Sequence, residues 1–295
     1  MNMRFTIVQG PQSVQGSEAW LEFRKDKISA SMAPSIMGVN PYCSRLQLWE
    51  GIMFNTSKPK TAAMQRGNDL EQKARDWLNM MTGRNYIPVV VQSVAHPEFI
   101  ASLDGYWVDE AGKIHIAEIK CPGTATHARA LEDEIPEMYY PQLQHQMDIV
   151  GVDETIYLSF DGEEGVMLPC LRDQYYCASL FAEELAFAAS LIMFKPPEAT
   201  DRDWVEIVDS RAIEKADRYK KVCTLIDTLE IEKEALKESL IEETETARSV
   251  IGDLKIQKVT RKGNLDYDRM IKDYDIHAID RYRKPPIESY RFTFS

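Results

Sequence analysis

The feature that most restricts the fold is a change of period near residue 87. Over residues 61–81, Leu70, Ala74, Trp77 and Leu78 recur at helical spacing on one face, with Glu71 beside it. Residues 87–94, 99–108 and 114–120 then read as three successive strands, the last two joined by a turn at Asp109-Glu110-Ala111-Gly112. A helix over 139–150, strands over 155–160 and 166–171, and a long apolar helix over 175–194 follow. Upstream, Ser17 reads as the cap of a helix over 16–23, residues 44–53 as a second helix, and residues 1–10 as a short strand or arm. This order predicts an α/β (α+β) domain on a central mixed sheet flanked by helices.

The strand over 114–120 carries a contradiction. Strand side chains alternate, so Ile114, Ile116, Glu118 and Lys120 share one face. That row starts as core and ends in a carboxylate and an ammonium. Asp104 closes the preceding strand, and pairing of the two strands through their turn brings Asp104 near Glu118. Two facing carboxylates repel, and one is forced to hold a proton unless a cation sits between them. Hard oxygen ligands are what Mg²⁺ selects. Such a group also suits phosphodiester hydrolysis, where metal ions clamp the developing charge and lower the pKa of a water. Lys120 beside it can orient that water or, with a depressed pKa, accept its proton.

Composition narrows the setting. A net charge of −12 over 295 residues argues against a uniformly basic coat for nucleic acid, while leaving room for a local basic channel. The five cysteines form no C-x-x-C pair, as expected of reduced thiols and not of a disulfide framework, an iron–sulfur cluster or a structural zinc. No apolar stretch reads as approaching a membrane span and no signal pattern opens the chain, so a cytoplasmic protein is expected.

Lys195-Pro196-Pro197 marks an expected boundary between a domain over 1–195 and an extension over 196–295. Within the extension, residues 210–249 read as one charge-rich helix. Val222, Leu229 and Leu236 stand at heptad spacing, with Leu225, Ile226 and Leu240 beside them. Lys233 interrupts one seam, so this helix is expected to pack on its own domain in preference to forming a coiled coil. Residues 254–295 suggest a strand, a turn at Gly263-Asn264, a short helix and an extended tail. No catalytic constellation appears there, and an oligomerisation or partner-binding module is expected.

The short motifs carry a family resemblance. W-L-E-F-R-K-D-K-I-S-A-S (20–31), R-G-N-D-L-E (66–71), S-L-D-G (102–105), E-I-K-C-P (118–122) and Y-P-Q-L-Q (140–144) stand in the order found in the lambda exonuclease and YqaJ-type viral recombinases. Asp104…Glu118-Ile119-Lys120 resembles the signature of the wider PD-(D/E)XK nuclease superfamily. The resemblance spans residues 16–194 and implies a restriction-endonuclease-like fold.

It further implies that Asp104, Glu118 and the main-chain carbonyl of Ile119 bind Mg²⁺, with Mn²⁺ a plausible substitute. Lys120 would position or activate the water, Glu71 would be a further acidic ligand or support, and Gln142 would support Lys120 or the water. Arg24, Ser31 and Ser102 match a pocket for the 5′-phosphate of the substrate strand, a sensible cradle because a guanidinium grips phosphate with paired hydrogen bonds. The sequence departs at Thr126, where the lambda member has arginine; His127 and Arg129 follow closely.

The implied activity is 5′-to-3′ digestion of double-stranded DNA ends by a ring-shaped homo-oligomer, typically a trimer. The resulting 3′ tails would pass to a single-strand annealing protein of the RecT or Beta type, in a bacterial host cell carrying a phage or prophage. Two alternatives stay open: a superfamily nuclease of other polarity or endonucleolytic habit, and a non-catalytic DNA-binding scaffold.

Overall fold

The structure, a computed structural model, describes residues 4–14, 16–56, 61–244, 248–259 and 270. The chain forms two compact units, Met1–Val205 and Glu206–Ser295.

In the first unit, strand β1 (Phe5–Ile7) precedes helix α1 (Glu18–Arg24), where the Ser17 side chain accepts from the Trp20 amide as a cap. Strand β2 (Ile28–Ser29), helices α2 (Ala33–Ile36) and α3 (Arg45–Met53), and helix α4 (Ala62–Thr82) follow. Ser44 and Thr61 cap the last two in the same way. Strands β3 (Ile87–Ser93), β4 (Phe99–Val108) and β5 (Ile114–Lys120) form an antiparallel meander. Its second turn is fixed by Asp109, whose carboxylate accepts from the amides of Ala111 and Lys113, and by Gly112 at φ 79°.

Helices α5 (Thr124–Leu131) and α6 (Tyr140–Val150) carry the chain over to β6 (Glu154–Phe160), which lies parallel to β5. Strand β7 (Gly165–Leu171) and helix α7 (Gln174–Ile192) complete the unit. The sheet order is β1-β3-β4-β5-β6-β7, with β2 alongside β4.

The expected mixed sheet is present, and alternation along its strands builds a core on each face. Ile116 and Tyr157 join Leu143 and Met147 of α6 and Phe187 of α7. Ala117, Ile119, Leu158 and Phe160 join Ala74 and Leu78 of α4. The row that begins with Ile114 and Ile116 therefore runs on the α6 side. Helix α5 was not anticipated: eight residues following Cys121-Pro122-Gly123 give little periodicity, and burial of His127 and Ala130 holds it in place.

One expectation fails on length alone. Helix α7 is long and apolar enough to cross a membrane by length and composition. It instead docks on α6 through Cys177, Leu180 and Phe187, with Glu184 buried against His145.

Residues past Pro197 remain with the first unit. The Ser44 hydroxyl hydrogen-bonds Asp203, and Arg202 donates to the Asn40 carbonyl at 2.6 Å.

The second unit contains helix α8 (Ser210–Glu242), capped by Asp209, and an antiparallel hairpin of β8 (Arg248–Ile251) and β9 (Leu254–Gln257). The helix stops before the expected residue 249, because Ser249-Val250-Ile251 turns at Gly252 (φ 62°) to pair with β9. Among the described residues no residue of α8 is buried, although Leu236 and Leu240 of α8 line a cavity with Leu254 and Ile256 of β9. The expected turn at Gly263-Asn264 and the tail beyond it lie outside the described residues.

Candidate active site

The β4–β5 register pairs Gly105 with Ala117, and its continuation sets Asp104 opposite Glu118. Asp104 Oδ2 accepts from the Ile119 amide at 3.0 Å, tying the carboxylate to the neighbouring strand. Glu118 is 1% exposed and accepts on both oxygens. Lys120 Nζ and Gln142 Nε2 donate to Oε1 at 2.5 and 2.6 Å, and Gln146 Nε2 donates to Oε2 at 2.5 Å. Lys120 also reaches Gln142 Oε1 at 3.2 Å and lies over the Tyr139 ring, 5.4 Å from its centroid. The contradiction in the row resolves here: its polar end meets two glutamines of α6, one turn apart.

Electrostatics follow from this crowding. Burial, then the nearby charge of Glu118, pushes the Asp104 carboxyl well above the ordinary carboxylate range. Burial acts to lower the Lys120 pKa, but the charges of Glu118 and Asp104 outweigh it and hold the amine above its ordinary value. Its hydrogen bonds to Glu118 and Gln142 place the amine where it could orient a water or a phosphate oxygen.

Glu71 pairs with Arg75 one turn along α4, and Arg75 Nε donates to the Asp104 carbonyl at 2.7 Å. Glu71 thus adds negative charge beside Asp104 while Arg75 fixes the strand. Across the cavity, Arg24 donates to Ser29 Oγ at 2.8 Å and Ser31 Oγ at 3.2 Å, and its guanidinium lies 4.4 Å from the Trp20 ring centroid. Among the described residues Arg24 makes no ion pair with a carboxylate. Burial lowers its pKa, as expected of a cation lacking an anion.

One cavity of about 270 Å³ joins the two groups. Glu71, Asp104, Glu118, Ile119, Lys120 and Gln142 line one part, and Arg24, Ser31 and Ser102 line the rest. Every residue singled out from the sequence borders this space. Neither residue considered as a stand-in for the arginine at Thr126 does so. His127 is buried against Ser159 Oγ at 2.9 Å, and Arg129 is paired with Glu134.

Residues 19–153 match the YqaJ-like viral recombinase domain. Over those residues the first unit is similar to that family. The alkaline exonuclease LHK-Exo from Laribacter hongkongensis is 27% identical, with a TM-score of 0.53 over 61% of this chain and 94% of that one. Its complex with dAMP compares at 28% identity with the same TM-score and coverage. The uncharacterized protein YqaJ of Bacillus subtilis (strain 168) is 24% identical over 195 residues, which span 63% of this chain and 60% of that relative's length.

Among the described residues, no group of three or more His, Cys, Asp and Glu could by itself hold a metal ion. The chemistry of the donors still suits magnesium. Mg²⁺ keeps several waters and takes only one or two carboxylates together with substrate phosphate oxygens. Asp104 and Glu118, with the Ile119 carbonyl, could supply that partial set, since all of them border one cavity.

Three contributors to the site were not anticipated. Gln146 lies four residues after Gln142, a spacing legible in Y-P-Q-L-Q-H-Q; its Oε1 is buried without a hydrogen-bond partner. Arg75 stands four residues after Glu71, the spacing of a helical ion pair. Ser29 had no separate signal, because only the fold brings it under Arg24.

Proposed function

We propose that the protein is a Mg²⁺-dependent exonuclease that enters at double-stranded DNA ends, digests the strand with the free 5′ terminus and leaves 3′ single-stranded tails. The observation that carries this reading is the single cavity shared by the carboxylate–lysine group and the Arg24–Ser29–Ser31 cradle. A phosphate held at one end would leave a phosphodiester of the same strand at the other. The likeness to an alkaline exonuclease supports the same reaction class.

In this mechanism Arg24 grips the terminal phosphate with charge-assisted hydrogen bonds from its guanidinium, and the serine hydroxyls complete the cradle. Asp104 and Glu118, with the Ile119 carbonyl, would hold magnesium, which supplies a charge clamp and lowers the pKa of the attacking water. Lys120 donates from its ammonium to that water or to a phosphate oxygen. Gln142 and Gln146 keep the Glu118 carboxylate fixed. Arg75 holds Asp104 through its main chain.

The overall acidity of the chain is compatible with DNA if basic groups line an internal channel, as in the ring-shaped homo-oligomer, a trimer, that the family resemblance implies. The 3′ tail would then pass to a single-strand annealing protein of the RecT or Beta type in the cytoplasm of a bacterial host.

Linear duplex labelled at either the 5′ or the 3′ end, incubated with Mg²⁺ or with chelator, tests the reading. Early release of the 5′ label with Mg²⁺ alone is expected. Early release of the 3′ label overturns the polarity, and cutting of a closed circular plasmid points instead to an endonuclease.

A further inference from the structure

We propose that α8 pairs antiparallel with α8 of a second copy of this chain. This helix lies beyond residues 19–153, which match the family's domain.

The seam is read from the heptad. Tyr219, Ile226, Lys233 and Leu240 fall at one core position and Val222, Leu229 and Leu236 at the other. No residue of α8 is buried, and Val222, Ile226, Leu229 and Leu236 are between 46% and 57% exposed. An apolar stripe broken once, at Lys233, on a 33-residue helix is the pattern of a surface awaiting a helix.

Charge selects the occupant and its direction. Residues 210–226 carry five Lys and Arg against two acidic residues; residues 227–242 carry two against six. A basic N-terminal half and an acidic C-terminal half oppose the dipole of their own helix, which favours anions at the N-terminus and cations at the C-terminus. This arrangement weakens α8 alone. Laid antiparallel on a second copy, each basic half meets an acidic half and the dipoles oppose. Parallel pairing would set like against like.

Antiparallel pairing also places the two kinds of seam position opposite each other, so that Tyr219 meets Leu236, Val222 meets Lys233 and Ile226 meets Leu229 of the other copy. The overlap then covers nearly the whole helix. Lys233, which made a coiled coil look unfavourable, occupies one layer at each end, where it helps to set register.

The hairpin provides a matching wall. Leu229, Leu236, Leu240 and Ile241 of α8 and Leu254 and Ile256 of β9 border an open cavity of about 1080 Å³. It lies over the acidic half of the seam. The basic half of a second α8, with its Tyr219, Val222 and Ile226, would enter it, and two-fold symmetry fills both cavities alike.

Disulfide trapping in the full chain tests this pairing. One chain carries Val222→Cys and another Lys233→Cys, both in a Cys223→Ser background. On mild oxidation, the mixture is expected to yield a covalent pair that neither chain yields alone. In parallel, Leu229→Glu combined with Leu236→Glu is expected to lower the assembled mass twofold in sedimentation, with duplex digestion retained. Cross-linking of each chain with itself would overturn the antiparallel arrangement. No cross-link together with an unchanged mass, the result expected of a ring held by the first unit alone, would overturn the contact altogether.

Discussion

Lys120 Nζ lies 2.5 Å from Glu118 Oε1, and both side chains come from the same face of β5. The pair compensates charge inside a cavity that also contains Asp104. Its partners on α6 make the carboxylate a fixed object, and several consequences can be measured.

Glu118→Gln keeps the size of the side chain and removes its charge. Under the proposed function, digestion of linear duplex is expected to fall at least ~100-fold, because a carboxylate proposed to hold magnesium is lost. The same change should lower the Asp104 pKa, since the neighbouring negative charge that helps raise it is gone. Carboxyl titration by NMR in wild type and variant checks the second part; an unmoved Asp104 would contradict the coupling.

Gln146→Leu removes the one amide on Glu118 Oε2 while retaining an apolar body between α6 and the sheet. The Mg²⁺ concentration for half-maximal rate is expected to rise by about 10–100-fold, the usual consequence of losing a group that orients a ligand. A change confined to the melting temperature, with the Mg²⁺ dependence intact, would show that Gln146 serves packing only.

Arg24→Ala is expected to slow digestion of 5′-phosphorylated ends by roughly 10-fold or more, the magnitude of one charge-assisted hydrogen bond. Ends bearing a 5′-hydroxyl should be much less affected. Equal loss on both kinds of end would remove the phosphate from the cradle.

The raised Asp104 carboxyl makes a prediction about pH. Its folded pKa lies above its unfolded value, so in the window between them the native state holds more protons and stability falls as pH rises. Asp104→Asn should therefore melt higher than wild type above that window, by about 2–4 °C for each ~1 kcal/mol recovered. It should also lose cleavage. A melting difference independent of pH would argue against this cause.

His145 gives the same direction of pH dependence, but from a favourable interaction of its charged form. Its Nδ1 faces Glu184 Oε1 at 2.6 Å and its Nε2 faces the Ile100 carbonyl at 3.1 Å, two acceptors that require both ring nitrogens to donate. Burial acts to lower its pKa, and the charge of Glu184 outweighs burial to raise it. The stability it contributes is complete below the ordinary histidine value and is lost as pH rises through the raised one. Thermal melts of wild type and Glu184→Gln should therefore converge at high pH.

Much of this was legible in the sequence because short-range rules dominated. The period change placed the meander, and Asp109 with Gly112 fixed the turn that aligns Asp104 with Glu118. Ser17, Ser44 and Thr61 marked helix starts through the ordinary chemistry of caps. What escaped depends on distant contacts. Ser29 approaches Arg24 only because β2 joins the edge of β4, and α5 is held by burial of His127 against β6 and not by periodicity. The stripe on α8 was visible, but whether anything in the chain covers it depends on tertiary packing and not on spacing.

Glu118 accepts from an amine and two amides, so the protein partners its most deeply sequestered anion from its own side chains and still leaves a lone pair on Oε2. Structural zinc domains behave differently, unravelling when the ion is withdrawn. If the proposed magnesium site is right, the architecture and the ion should be separable: material stripped with chelator should stay folded, sit idle on DNA, and resume work within mixing time once magnesium is restored.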